Sequence, residues 1–147
     1  MATGLVNGTD LLLKVGTSDS NEVIIATATS CSLEISVDEI DQTNKDSAAW
    51  KSIIPGTRSW SVSSDALYQN EATTNNDFIT FFARVDNRTK VYVELTTAGA
   101  SNGDANVFYS GEAYVASLSV NGGTEDQSTY SISLTGTGAL AETAVPA

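Results

Sequence analysis

Apolar and polar residues alternate in segment after segment of this chain, and a period of two dictates extended strands with one dry face and one wet face. Leu33, Ile35 and Val37 alternate with Glu34, Ser36 and Asp38. Trp60 and Val62 alternate with Ser59, Ser61 and Ser63, and Val91, Val93 and Leu95 with Tyr92 and Glu94. Tyr130, Ile132 and Leu134 alternate with serines and Thr135. Residues 23–29 add a run rich in Val, Ile and Thr, which favour strands. In residues 107–120, Tyr109, Gly111, Ala113 and Val115 share one parity while Leu118 and Val120 fall on the other. A bulge or face switch is expected between them.

One segment departs from this pattern. Phe78, Phe81, Phe82 and Val85 stand at i, i+3, i+4 and i+7, which predicts a short helix over 76–87. Asn75 or Asn76 suits its cap, Asp77 its first turn, and Arg84 and Arg88 its C-terminal end. The phenylalanine stripe is expected in the core, plugging one opening of a sheet sandwich. Strands throughout, a single helix and no βαβ alternation predict a mainly β fold, an antiparallel β-sandwich or barrel. Polar or glycine-rich residues mark loops at 17–21, 98–106 and 121–123. The long extended loop at 38–57, closed by Pro55-Gly56, is the segment to explain, because loops of that length are usually functional. Residues 139–147 read as a mobile C-terminal tail.

Composition narrows the function. A chain of 147 residues is expected to be one domain, 1–147, large enough to bury a core without staples. With 7 basic against 18 acidic residues, its net charge of −11 repels nucleic acid and anionic membrane surfaces. Cys31 is the only cysteine, so no intrachain disulfide forms, and a small apolar role on a strand suits it. There is no histidine, which removes the commonest general base and the commonest metal ligand. The first 16 residues lack the basic start and apolar run of a signal peptide, and no stretch approaches the ~20 apolar residues of a membrane helix. Synthesis and assembly in a cytoplasm are the expectation.

Few constellations carry chemistry. Asp38-Glu39-Ile40-Asp41 is the densest acidic cluster, but no glycine follows at the offset a calcium loop needs. The alternatives are a solvated turn or a charge partner for another subunit. No Gly-x-Ser-x-Gly elbow is present, and Thr135-Gly136-Thr137-Gly138 precedes no helix, so it reads as a strand ending with flexible glycines. No catalytic, cofactor or metal site is expected. Lys45 lies between Asp41 and Asp46, which fits either a solvated surface or an intersubunit ion pair that fixes register. Trp50, in the same polar loop, must pack on its own core or on a partner.

Ordered along the chain are Gly8-Thr9-Asp10-Leu11-Leu12-Leu13, then Lys45-Asp46-Ser47 with Trp50, then Pro55-Gly56-Thr57-Arg58-Ser59-Trp60-Ser61-Val62-Ser63. Tyr109-Ser110-Gly111-Glu112-Ala113-Tyr114-Val115 and Tyr130-Ser131-Ile132-Ser133-Leu134-Thr135-Gly136-Thr137-Gly138 complete the set. This order resembles the major tail tube proteins of long-tailed phages, the TP901-1-like family. One departure is Asn44, where relatives often carry Thr before the lysine. The resemblance implies a structural virion subunit that forms hexameric rings stacking into a tail tube, related to the tubes of contractile tails and type VI secretion. It further implies an N-terminal arm at 1–16 and an inter-ring loop at 38–57. DNA and the tape-measure protein would pass through the lumen, with terminator and tip or baseplate proteins at the ends. Asp41, Lys45, Asp46, Trp50 and Arg58 are the candidates for contacts between subunits. Glu34, Glu94 and Glu112, charged residues in mid-strand that must face water, are the candidates to line the lumen. The competing reading is a bacterial β-sandwich that binds carbohydrate or a surface through Tyr92, Tyr109 and Tyr114.

Overall fold

The computed structural model describes residues 8–17, 23–25, 28–48, 50–69, 78–97 and 107–144. Seven strands follow one another as β1 (Leu11–Gly16), β2 (Val23–Ile24), β3 (Ala28–Asp41), β4 (Ile53–Leu67), β5 (Val91–Thr97), β6 (Val107–Asn121) and β7 (Thr129–Ala144). The helix α1 (Phe78–Asp86) lies between β4 and β5. The strands form one antiparallel sheet in the order β2-β1-β5-β6-β7-β4-β3.

The sheet rolls so that distant strands meet. The Cys31 thiol on β3 donates to the Leu11 carbonyl on β1 at 3.6 Å, and a cleft of about 720 Å³ remains along this seam. The dry face encloses a single core. Leu13 and Val15 enter it from β1, Val62 from β4, Val93 from β5, and Ile132 and Leu134 from β7. Each such side chain contributes about 1.5–3 kcal/mol by leaving water. The predicted parities hold in β4, β5 and β7. In β6 the expected switch is a bulge, since Val115 faces Leu134 whereas Ser117 faces Ser133. The extra residue, Ala116, returns Leu118 to the core side already used by Tyr109, Ala113 and Val115.

Trp60 explains the glycines of β7. Its ring lies flat across Gly136 and Gly111, and a Cβ at Gly111 would stand 2.6 Å from a ring carbon. Its Nε1 donates to the Gly138 carbonyl at 3.2 Å, and Gly138 takes a left-handed φ of 78° inside a bulge opposite Ser110 and Glu112. The Thr-Gly-Thr-Gly run is therefore not a strand ending; it lies in the middle of β7, paired on one side by β6 and on the other by β4 up to Thr135.

Three expectations are corrected. From Leu11 onward the supposed N-terminal arm is β1, with Leu13 and Val15 buried, because its apolar residues supply part of the core. The supposed tail is, through Ala144, the outer end of β7, paired along β6 from Ala141 to Ala144. The stripe of α1 is only half in the core. Phe81 is fully buried and Phe78 meets Tyr68 and Tyr130 edge-on at 5.4 and 5.8 Å, but Phe82 is 59% exposed and Val85 is exposed as well. Phe82 stands ~100° round the helix from Phe81 and Val85 one turn beyond it, and the sheet covers neither. Arg88, at φ 51°, closes the helix, with the Thr89 amide on the Arg84 carbonyl at 3.0 Å. The capping candidates Asn75 and Asn76, and Asp77, lie outside the described residues.

Candidate assembly surfaces

The long loop is mostly a hairpin. Pairing of β3 with β4 runs from Ala28 opposite Ala66 out to Asp41 opposite Ile53. Strand chemistry continues through 38–41 and 53–57, so the connection shrinks to 42–52. Leu33 is the last residue of β3 packed on the core; from there to Asp41 the ladder extends about 26 Å. A bulge breaks its register, because Val37 faces Arg58 while Glu39 faces Pro55. Gly56 sits in that bulge, where a Cβ would come within 3.1 Å of the Asp38 carbonyl. Pro55, which has no amide to give, is tolerated there.

The tip is held by its own polar atoms. The Thr43 amide donates to Asp41 Oδ1 at 2.8 Å, the Gln42 amide to the Ser52 carbonyl at 2.8 Å, and the Ser52 amide to Thr43 Oγ1 at 3.0 Å. The hydroxyl and amide of Thr43 hold the Asp41 carboxyl below its usual range, with Lys51 adding attraction. The Asp46 amide donates to Asn44 Oδ1 at 3.0 Å across a 3-10 turn at Lys45–Ser47. Lys45 and Asp46 are exposed, and the hairpin's own ion pair is instead Lys51 with Glu39 at 3.7 Å. Trp50 is 80% exposed, so it is no part of the subunit's core. Ile35, Val37, Ile40, Ile53 and Ile54 are exposed along the hairpin, and Arg58 is exposed opposite Val37.

A second surface is the wet face of β3, β4, β7 and β6. Register sets Ser32, Ser63, Ser133 and Ser117 in one row, and Ser30, Asp65, Ser131 and Ser119 in the next. Ser32 and Ser63 bond through their hydroxyls at 2.5 Å, as do Ser36 and Ser59 at 2.8 Å. Asp65 accepts from Ser30 at 3.1 Å and from Ser131 at 2.6 Å. Sequence reasoning saw these serines only as the polar half of an alternation. Their stacking into rows depends on register, which a single sequence does not state.

The three glutamates separate. Glu34 lies exposed in the row of Ser61, Thr135 and Tyr114. Glu112 is exposed near the same face, 2.9 Å from Lys90, which is pushed up by the bond and by the attraction. Glu94 lies on β5, outside those four strands, with its side chain only 17% exposed and bonded to Lys14 at 3.0 Å. Among the described residues no group of three His, Cys, Asp or Glu side chains converges to hold a metal. Glu39 and Asp41 are engaged by Lys51 and Thr43. The tyrosines of the carbohydrate reading do not gather either. Tyr109 packs on the core, whereas Tyr92 and Tyr114 belong to the opposite face.

A family model described as phage tail tube protein matches residues 5–142. The chain belongs to that family. It is a structural subunit of the virion tail, and the likeness legible in its sequence holds at the level of the tail tube family. None of the curated proteins matches this tail tube subunit. Among solved structures it is similar to the tail of an empty gene transfer agent particle refined with C6 symmetry, at TM-score 0.80 and 20% identity, covering 95% of this chain and 100% of that one. It is similar to the SPP1 tail tube at TM-score 0.76 and 14% identity, covering 97% and 81%. It also resembles a chain of the anti-feeding prophage baseplate at TM-score 0.63 and 13% identity, covering 99% of each. These likenesses reach from a tail tube to a baseplate, and they establish a shared fold.

Proposed function

We propose that six copies close into a ring, that rings stack into a hollow tube, and that the hydroxyl face of β6-β7-β4-β3 lines its bore. The observation that carries the reading is a pair of free sheet edges. β3 ends the sheet, and among the described residues β5 pairs with β6 only from Tyr109 to Ala113, leaving the rest of that edge of β6 without a strand beside it. Long open edges are an aggregation hazard unless a partner pairs with them, and ring closure pairs both. The four strands between these edges are an even number, so β3 of one copy and β6 of the next run antiparallel when a rotation joins them. The C6 symmetry refined for the gene transfer agent tail supports six as the count.

Such a bore suits a polyanion. The serine rows offer hydroxyls, with Glu34 and Asp65 among them and Glu112 beside them, and each copy adds a net charge of −11. Nothing in those rows attracts phosphate, so DNA passes without specific binding. The hairpin, with Asp41, Lys45, Asp46, Trp50 and Arg58 as contact residues, bridges rings. The tape-measure protein shares the lumen, and terminator and tip or baseplate proteins meet the ends. Electron microscopy of the purified protein tests this: rings or tubes with six-fold averages are expected, and a persistent monomer at high concentration overturns it.

A further inference from the structure

The hairpin and α1 occupy opposite ends of the subunit. Phe78 packs on Tyr68, one residue past the end of β4, and on Tyr130 at the start of β7. The hairpin leaves from the other end of β4, at Ile53, fourteen steps or about 46 Å away along the strand. Both ends carry exposed apolar groups. On α1 they are Ile79, Phe82 and Val85, exposed at successive three-residue steps along the helix. On the hairpin they include Ile35, Val37 and Ile53, whose register puts them on the face that continues the core side of the sheet.

The balance of charge differs between the ends. Arg84, Arg88 and Lys90 place three of the chain's seven cations within or just after α1. The hairpin carries Asp38, Glu39, Asp41 and Asp46 against Lys45, Lys51 and Arg58, with Lys51 already paired to Glu39. Arg84 Nη1 is buried without a hydrogen-bond partner among the described residues, its guanidinium stacked over the Phe81 ring at 5.4 Å. An orphaned buried donor of this kind costs free energy until an acceptor reaches it.

From these facts, and resting on the stacked-tube reading, we infer that the α1 end is the receptor for the hairpin of a second copy displaced along the tube axis. A neighbour in the same ring cannot fill this role. Rotation about the ring axis keeps every α1 at one height, and even with strands tilted ~45° that height lies about 30 Å from Ile53. A copy one ring away closes the gap, and the contact is heterologous, so it repeats without end along the axis. The hairpin's core-side face meets Phe82 and its neighbours, and its acidic residues meet Arg84 and Arg88.

Proximity is tested with two single-cysteine variants made in a Cys31→Ser background, one carrying Ile53→Cys and the other Phe82→Cys. They are mixed, assembled and oxidised. A disulfide-linked dimer should form in the mixture, ~10-fold more abundant than in either variant alone, since each alone presents only half of a pair whose Cα atoms must approach within about 7 Å. Phe82→Asp should keep the monomer's melting temperature and lower tube yield ~10-fold or more, as loss of an interface anchor does. If wild-type tubes form while the mixture gives no excess dimer and Phe82→Asp assembles normally, the receptor assignment is overturned and the tube reading stands. If the wild-type protein forms no tubes, both fall.

Discussion

Gly136→Ala should destabilise the folded subunit although it adds a single methyl group. The indole of Trp60 lies against the Gly136 backbone, and a Cβ there would fall well inside contact distance of the ring. The ring cannot swing aside freely: Nε1 is tied to the Gly138 carbonyl at 3.2 Å, and its far edge rests on Gly111. Accommodating the methyl requires loss of that bond, worth about 1 kcal/mol, together with overpacking strain of about 1–3 kcal/mol. A total near 3 kcal/mol is expected, a fall in melting temperature of roughly 10 °C for a domain of this size. Urea unfolding followed by tryptophan fluorescence reads it directly, because Trp50 is 80% exposed and the change on unfolding comes from Trp60. Trp60→Leu destabilises by itself, yet in the double variant, whose unfolding is followed by far-UV circular dichroism because the reporter ring is gone, the added methyl should cost less than ~0.5 kcal/mol. Gly8→Ala, with nothing within 4 Å of its Cβ, serves as the neutral control. A Gly136→Ala protein with wild-type stability, or a double variant whose effects simply add, would refute the wedge.

Trp50→Ala should leave monomer stability within about 0.5 kcal/mol and weaken tube formation by about 2 kcal/mol, read by unfolding and by the critical concentration for assembly. Glu34→Lys should make tubes retain DNA at low salt and release it at high salt, checked by ejection rate at two ionic strengths, because the new cation neutralises a phosphate. Glu94→Lys should instead lower the monomer's melting temperature, since it removes the partner of Lys14 and sets two cations side by side in a half-buried site. Asp41 should titrate below its ordinary 3.8, so whatever its bonds to Thr43 contribute to tip order is present above that pH and is lost as pH falls through the lowered value. A carboxyl-carbon NMR titration checks this, and Thr43→Val should bring the midpoint back toward 3.8.

The fold was legible wherever a strand has one wet face. In β5 and β7 the alternation of Val91, Val93 and Leu95, and of Tyr130, Ile132 and Leu134, marked the buried side chains. The β6 bulge announced itself as a parity change. The hairpin was missed because Asp38, Ile40, Ile53 and Ile54 face solvent on both sides, so no alternation marks the strands. The α1 stripe was overread because periodicity tells which residues share a side, not how wide a surface the sheet offers to cover them. Of the site, Trp50 was left between the subunit's own core and a partner, and its exposure came from the structure; Glu34 was placed on open surface by its polar parity in an alternating strand. Glu94 was not, because its partner Lys14 lies 80 residues away in sequence and meets it only through the pairing of β1 with β5.

On the proposed reading that the hydroxyl rows line the bore, they bear on friction. A cargo moving along a wall is slowed by the depth of each local well, not by the average attraction. Side chains in a strand recur on one face about every 7 Å, and neighbouring strands stand about 5 Å apart, so the wells are closely and evenly spaced. Ser32 with Ser63, and Ser36 with Ser59, already spend part of their hydrogen-bonding capacity on each other. What remains exchanges with water for about 1 kcal/mol or less. A wall of this kind is shallowly corrugated, close to thermal energy at every step. One lysine among the serines would deepen the well at its own position, and six-fold closure would turn that point into a ring that grips the strand at one height.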